Sequence, residues 1–350
     1  MQTYFLGGVS SAGFESRFIK QIEKSGFYTY ILKGGPGSGK STLMKKLAEA
    51  FKDEDIELYH CSSDIKSVDA VVLKNHRCIV VDGTAPHVFE PEYPAICQEI
   101  INLGEYWDKA KIQAEADGIK RCFDENRKCH KRAKRFVQAF ASLNSDIFSI
   151  AEAALNIPKL DAYIERLGKK LFGKPEDKKG SIEFKQLSAL TAEGYITRKI
   201  PENYTAYLVK DDYFAGGDYF LRALASSAEA YGAEVIVSEC TMLRNGTFEH
   251  MLIPSHKLAF MSCNFFNGYF CETERIINFM RFYEKDTLAL KKQRINFNKR
   301  VSAELCSEAA ASIFNALDIH DELEKYFIGA MDFEGLDKRA KRLIEEIKGR

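Results

Sequence analysis

No two cysteines in this chain stand in a Cys-x-x-Cys pair, and the nine present are odd in number. That spacing removes the usual signatures of a disulfide framework and of a paired-cysteine zinc site. Reduced thiols of a cytosolic protein are expected instead. Cys122, Cys129 and His130 can be drawn as ligands, but they fall in a charged, helix-like stretch with no second close-spaced pair, which argues against a metal site there. The chain also lacks any run of about 18 apolar residues, and residues Met1 to Phe14 carry no basic segment followed by a long apolar one. A membrane span and a secretory leader are thereby set aside, and a cytoplasmic location is expected. Net charge is missing too: lysine plus arginine and aspartate plus glutamate each number 50. No global field would draw the protein to nucleic acid or to an anionic membrane.

What the chain does contain is 350 residues with 45% hydrophobic and 29% charged side chains. That is ordinary for a folded protein and long enough for two cores. Within it, Gly34-Gly35-Pro36-Gly37-Ser38-Gly39-Lys40-Ser41 fits the pattern G-x-x-x-x-G-K-[ST]. The segment sits between a predicted strand, Thr29 to Leu32, and a predicted helix, Ser41 to Phe51, as that pattern requires. Glycines let successive backbone N–H groups converge on phosphate oxygens, and the following helix points its positive end at the same anion. Lys40 would reach the β- and γ-phosphates, Ser41 would ligate Mg²⁺, and Thr42 would bond the α-phosphate. A second magnesium-shell group is expected at the end of a neighbouring strand, where Cys78-Ile79-Val80-Val81 leads into Asp82. Gly83 follows where many hydrolytic P-loop enzymes place glutamate, so slow hydrolysis is expected. Asp64 and His87 are the candidates for orienting water or an acceptor hydroxyl, with Asp69 and Glu90 as further possibilities.

The chain also repeats itself. Tyr30-Ile31-Leu32-Lys33 falls on Tyr207-Leu208-Val209-Lys210, an offset of 177, and Ile56 to Cys61 falls on Val235 to Cys240. Val72-Leu73 falls on Leu252-Ile253, and Ser11 to Phe14 resembles Ala192 to Tyr195. The second copy adds predicted strands at Ala206 to Val209, Glu234 to Val237 and Leu258 to Met261. Continuous apolar runs of this length read as buried parallel strands, so the expected fold is a doubly wound α/β P-loop domain duplicated in tandem.

Charged helical stretches, about 98–172 and about 272–348, append to each half, and residues 174–181 read as a linker between domains 1–173 and 182–350. The appendages carry basic runs, Lys120 to Arg135 and Lys291 to Arg300. Zero net charge and helical spacing favour solvated faces over nucleic-acid contact. In the second copy the loop becomes Asp211-Asp212-Tyr213-Phe214-Ala215-Gly216-Gly217-Asp218, and Ser262 replaces Asp82. Lysine, magnesium-binding serine and strand-end aspartate are all lost, so this half is expected to bind no nucleotide.

Leu32 to Thr42, Tyr59-His60-Cys61-Ser62-Ser63-Asp64 and Val80 to His87 together resemble a family of uncharacterised bacterial P-loop proteins known only as ATPases or ATP-binding proteins, built as two tandem repeats. The resemblance spans nearly the whole chain and implies the fold and ATP binding, but no substrate. In that family the second repeat often keeps its own P-loop, which is missing here. The expected function is Mg²⁺-dependent binding and hydrolysis of a nucleoside triphosphate, ATP by default since no guanine signature stands out. The alternatives are a small-molecule or nucleotide kinase, with the helical appendage as a lid, and a nucleotide-gated module whose appendages hold a protein partner.

Overall fold

The computed structural model describes residues 2–85, 88–173, 179–243, 246–269 and 275–350. In the first half, β1 (Gln2–Phe5) leads through a small hairpin, β2 (Gly8–Val9) and β3 (Phe14–Glu15), into α1 (Phe18–Ser25). There follow β4 (Tyr28–Lys33), α2 (Lys40–Ala50), β5 (Ile56–His60), β6 (Val68–Leu73), β7 (Cys78–Asp82) and β8 (Gln98–Asn102). A 3-10 turn, Leu103–Tyr106, then opens a helical run of α3 (Lys109–Ala114), α4 (Ala116–Glu152) and α5 (Ile157–Phe172). The second half begins with β9 (Ser181–Phe184), the hairpin β10 (Ser188–Thr191) and β11 (Gly194–Thr197), β12 (Thr205–Lys210) and α6 (Ala215–Ala230). It continues with β13 (Glu234–Glu239), β14 (Phe248–Ile253), β15 (Leu258–Cys263), β16 (Ile276–Asn278), a 3-10 turn at Phe279–Phe282, α7 (Lys285–Leu290), α8 (Lys292–Ile328) and α9 (Phe333–Lys348).

These elements make an α/β protein with two mixed, mostly parallel sheets flanked by helices. The first sheet has the order β1-β5-β6-β7-β4-β8 and the second β9-β13-β14-β15-β12-β16. In each, the third strand of the order runs against both of its neighbours and the other five share one direction. The expectation of purely parallel sheets is therefore corrected. A short turn after β5 returns the chain as an antiparallel hairpin, which needs no crossover helix, before β7 resumes the common direction.

The doubly wound expectation changes in one respect: α2 packs on one face of the first sheet, but α1 shares the other face with the second sheet instead of covering it with helices alone. Period-2 alternation with both sides apolar gives every central strand two buried faces. Tyr30, Leu32, Val71, Leu73, Cys78 and Val80 meet Leu43, Met44 and Leu47 of α2 in one core. The alternate residues Ile31, Ala70, Val72, Ile79 and Val81 share a second core with Ile236, Leu252, Ala259 and Met261 of the other sheet. Between the halves, Glu57 is buried against Lys185 at 2.8 Å and Lys74 at 3.0 Å. Burial alone would raise its pKa, but the two ammonium groups outweigh that and hold the carboxyl below its ordinary range.

The helices do not stay with the sheets they follow in sequence. Leu160, Ile164, Leu167 and Phe172 of α5 join the core of α6 and the second sheet. Conversely, Leu336, Ala340, Leu343 and Ile347 of α9 join the core of α2 and the first. The exchange is carried by α4 and α8, 37 residues each, which run antiparallel along one another. Asn126 Nδ2 donates to the Ala316 carbonyl at one end of this pair, and Asn144 Nδ2 to Ser302 Oγ nearer the other. Their basic residues find local acids: Arg127 pairs with Asp124, Arg294 with Asp146, and Lys299 with Asp212. Among the described residues no helix is long and apolar enough to cross a membrane, and the eight described cysteines are free thiols.

Candidate functional site

The glycine-rich segment leaves the end of β4 and closes on the first turn of α2. Gly37 and Gly39 have φ of 64° and 81°, left-handed conformations that a side chain would strain, and they turn the backbone around the helix start. The amides of the first turn of α2 have no intrahelical acceptor and face this concavity. Ser38 Oγ donates to the Gly35 carbonyl at 2.7 Å, tying the loop to itself. Lys40 folds back over it, donating to the carbonyls of Gly34 (2.7 Å) and Gly35 (2.9 Å), with its Nζ 3.7 Å from Asp82 Oδ2. Gly34 and Pro36 complete the loop's outer rim, partly exposed, and Thr42 is exposed on α2.

Parallel pairing of β4 with β7 sets Leu32 beside Asp82, which brings the strand-end carboxylate to the loop. Asp82 Oδ1 accepts from the amide and hydroxyl of Thr84, at 2.8 and 2.6 Å. Burial pushes the Asp82 carboxyl up, Lys40 and Thr84 oppose the shift, and Asp69 adds to it. The antiparallel register of β6 and β7 pairs Ala70 with Val81, which leaves Asp69 and Asp82 as the next residues along the two strands, and Ser41 Oγ accepts from the Val68 amide at 3.0 Å. Two buried carboxylates and one hydroxyl therefore stand at adjacent strand and helix ends. Hard oxygen donors of this kind suit Mg²⁺.

The remaining candidates lie elsewhere. Asp64 closes the turn between β5 and β6, its Oδ1 accepting from the Lys66 amide and its carbonyl from the Ser67 amide. Glu90 pairs with Lys33 at 2.6 Å, and Lys33 also donates to the Gly83 and Phe89 carbonyls, so this lysine fastens the segment that follows β7. His87, with Pro86, lies outside the described residues.

The second half places a loop between β12 and α6 as the first does between β4 and α2, and there the concavity is filled. Asp211 is 6% exposed, and its Oδ2 accepts from the Gly217 amide at the start of α6 and from the Tyr283 hydroxyl, both at 2.8 Å. Tyr283 in turn accepts from the Gly216 amide at 2.7 Å. A carboxylate of the chain itself thus takes the position of an anion at this helix start. Asp218, aligned with Ser41, accepts from the Phe248 amide at 2.7 Å, as Ser41 does from Val68. Glu249 precedes the His250–Met261 pair as Asp69 precedes the Ala70–Val81 pair, and it is held by Tyr195 at 2.7 Å and Asn267 at 2.8 Å.

Around the first loop the structure also gathers residues that sequence reasoning missed. Gly37 N–H donates to Glu324 Oε1 at 3.1 Å, a contact across 287 residues of chain. A methyl group on Gly37 would lie 2.8 Å from the Glu324 carbonyl oxygen, and one on Gly35 would lie 3.3 Å from Trp107 and 3.4 Å from Phe327. No motif announces such a contact, because the helix exchange that makes it is a property of tertiary packing. Asp69, by contrast, was among the further possibilities read from the sequence, as a group that could orient water or an acceptor hydroxyl, and the structure sets it beside Asp82. Compared with protein-family models, with curated proteins and with solved structures, the chain matches none significantly.

Proposed function

We propose that the first half binds a nucleoside triphosphate with Mg²⁺, ATP in the first instance, on residues 34–42 and hydrolyses it slowly. The observation that carries this reading is the convergence of Lys40, Ser41, Asp82 and Asp69 on a glycine loop between a strand and a helix start. The loop amides and Lys40 would meet the phosphate charge, and Ser41 and Asp82, with Asp69 beside them, would hold the cation. The cation would neutralise charge on the β- and γ-oxygens. No glutamate follows Asp82, so no side chain at that point polarises an attacking water, which is why the expected turnover is slow. The shared strand order and shared strand senses of the two sheets support descent of both halves from one P-loop unit, with Asp211 marking the second as a pseudo-domain.

Calorimetric titration with ATP and with GTP, each with and without Mg²⁺, tests the reading directly. Lys40→Ala is expected to weaken triphosphate binding about tenfold to a hundredfold, the contribution of charge-assisted hydrogen bonds. Unchanged affinity in that variant refutes the proposal. Product analysis separates phosphate release from transfer of labelled γ-phosphate onto a metabolite, the outcome that a kinase would give. A second reading, a nucleotide-gated interaction module, is favoured by the end of α8 lying directly on the loop.

A further inference from the structure

The phosphate loop of the first half meets a carboxylate that does not belong to it. Glu324 comes from α8, in the second half of the chain, and its Oε1 accepts from the Gly37 amide. Convergent amides at a helix start favour an anion, and in a protein the nearest substitute for a phosphate oxygen is a carboxylate oxygen. The other loop reaches the same result with Asp211, but there the acid is six residues from the amide that it meets and is buried. Glu324 differs in both respects, since its side chain is 37% exposed and it reaches the loop from another element. Among the described residues it is held by Gly37 and, loosely, by His320 Nδ1 at 3.9 Å.

We propose that Glu324 is a removable latch on the phosphate loop: it holds the anion position until a triphosphate displaces it, and its release frees the end of α8. The inference rests on the nucleotide reading above and names the regulation of that site. Displacement would not stop at the side chain. The carbonyl of Glu324 and the side chain of Ile328 stand so near Gly37 that a methyl group there would meet them, and Phe327 lies similarly near Gly35. The last turn of α8 thus packs on the loop, and in this proposal it shifts with the released carboxylate. That turn runs into a corner pinned to the 3-10 turn before α3, through Asp108 N–H to the Ala330 carbonyl (2.7 Å) and Asp332 N–H to the Tyr106 carbonyl (2.8 Å). Trp107 sits on the same corner, its ring 5.6 Å from that of Phe327. As the sole tryptophan, it is a built-in reporter.

The test uses the full chain, ATP·Mg²⁺ as probe, calorimetry for affinity and Trp107 emission for the latch. Glu324→Ala should bind ATP·Mg²⁺ about five- to tenfold more tightly than the unaltered chain, somewhat less than a full hydrogen bond to a charged group because solvent screens the part-exposed carboxylate. Its tryptophan emission before nucleotide should already lie toward the ATP-bound value of the unaltered chain. Glu324→Gln, which keeps shape and loses charge, should fall between. Affinity that depends on Lys40 but is unmoved or weakened in Glu324→Ala overturns the latch alone. Turnover lost in Glu324→Gln without tighter binding also overturns it, and assigns Glu324 to chemistry instead. Failure of the unaltered chain to bind ATP, indistinguishable from Lys40→Ala, sinks the nucleotide reading and the latch with it.

Discussion

Asp69 and Glu249 occupy one register position in two sheets, yet their surroundings drive them apart. Asp69 stands beside Asp82 and the loop, while Glu249 is 3% exposed and sealed among Tyr195, Asn267 and His250. Burial pushes the Glu249 carboxyl up to about 7, and the hydrogen bonds from Tyr195 and Asn267 only partly offset it. His250 beside it is pushed down to about 3 by the same burial, so it offers no compensating cation at neutral pH. The unfolded chain releases the Glu249 proton at lower pH than the folded one does. Stability tied to the neutral carboxyl is thus fully present below the unfolded pKa and is lost as pH rises toward 7. The ceiling is on the order of 3 kcal/mol at 1.36 kcal/mol per pKa unit. Urea unfolding of Glu249→Gln should show its stability gaining on the unaltered chain between pH 5 and pH 8, whereas a constant difference across that range would contradict the assignment. At this scale the sequence was legible where chemistry is local: Lys40, Ser41 and Asp82 lie near one another as their motifs required. Glu324 and Trp107 were not legible, because neither lies in a motif and both reach the loop only through packing.

Helix α9 decides much at the scale of elements. It carries the apolar stripe Leu336, Ala340, Leu343 and Ile347, and the Asp332 side chain caps its start by accepting from the Gly335 amide at 3.0 Å. Its partner helix, α2, lies far away in sequence: Lys46 and Asp337 form an ion pair 291 residues apart. Leu343 is fully buried in the first core. Leu343→Ala should therefore cost about 2–5 kcal/mol, with the loss felt around the glycine loop. Hydrogen exchange would show it as faster exchange in α2 and β4, and an effect confined to residues after 182 would contradict the helix exchange. The stripe itself could be read from the sequence, as could the central strands β4, β5, β7, β12, β13 and β15. What periodicity could not supply was the partner of each helix, or the sense of β6, whose apolar run looks the same in either direction. The edge strands β1, β8 and β16 are short and mix polar with apolar residues, so they gave little signal before pairing.

On the scale of the whole molecule, neither half closes its own core. Beside its own α2 the first sheet takes α9 from the second half, beside its own α6 the second sheet takes α5 from the first, and the two sheets share a third core between them. Segments 1–173 and 182–350 made separately should each expose an apolar face and aggregate or remain partly unfolded. Made together, they should associate into one particle with the mass of the intact chain, as sizing with light scattering would show. Two stable, independent monomers would refute the exchange. The offset of 177 pointed to two similar halves, and the two sheets do share one strand order, but a boundary drawn along the sequence marks where one sheet's strands end, not where one core ends.

The traded helices also bear on how such a chain can change over generations. Asp211 fills the concavity of the second loop, so the second half reads as the dispensable one. Yet that half contributes α9 to the core of the first sheet and Glu324 to its glycine loop. Removing it would take both away, and so the fold ties the fate of either half to the other.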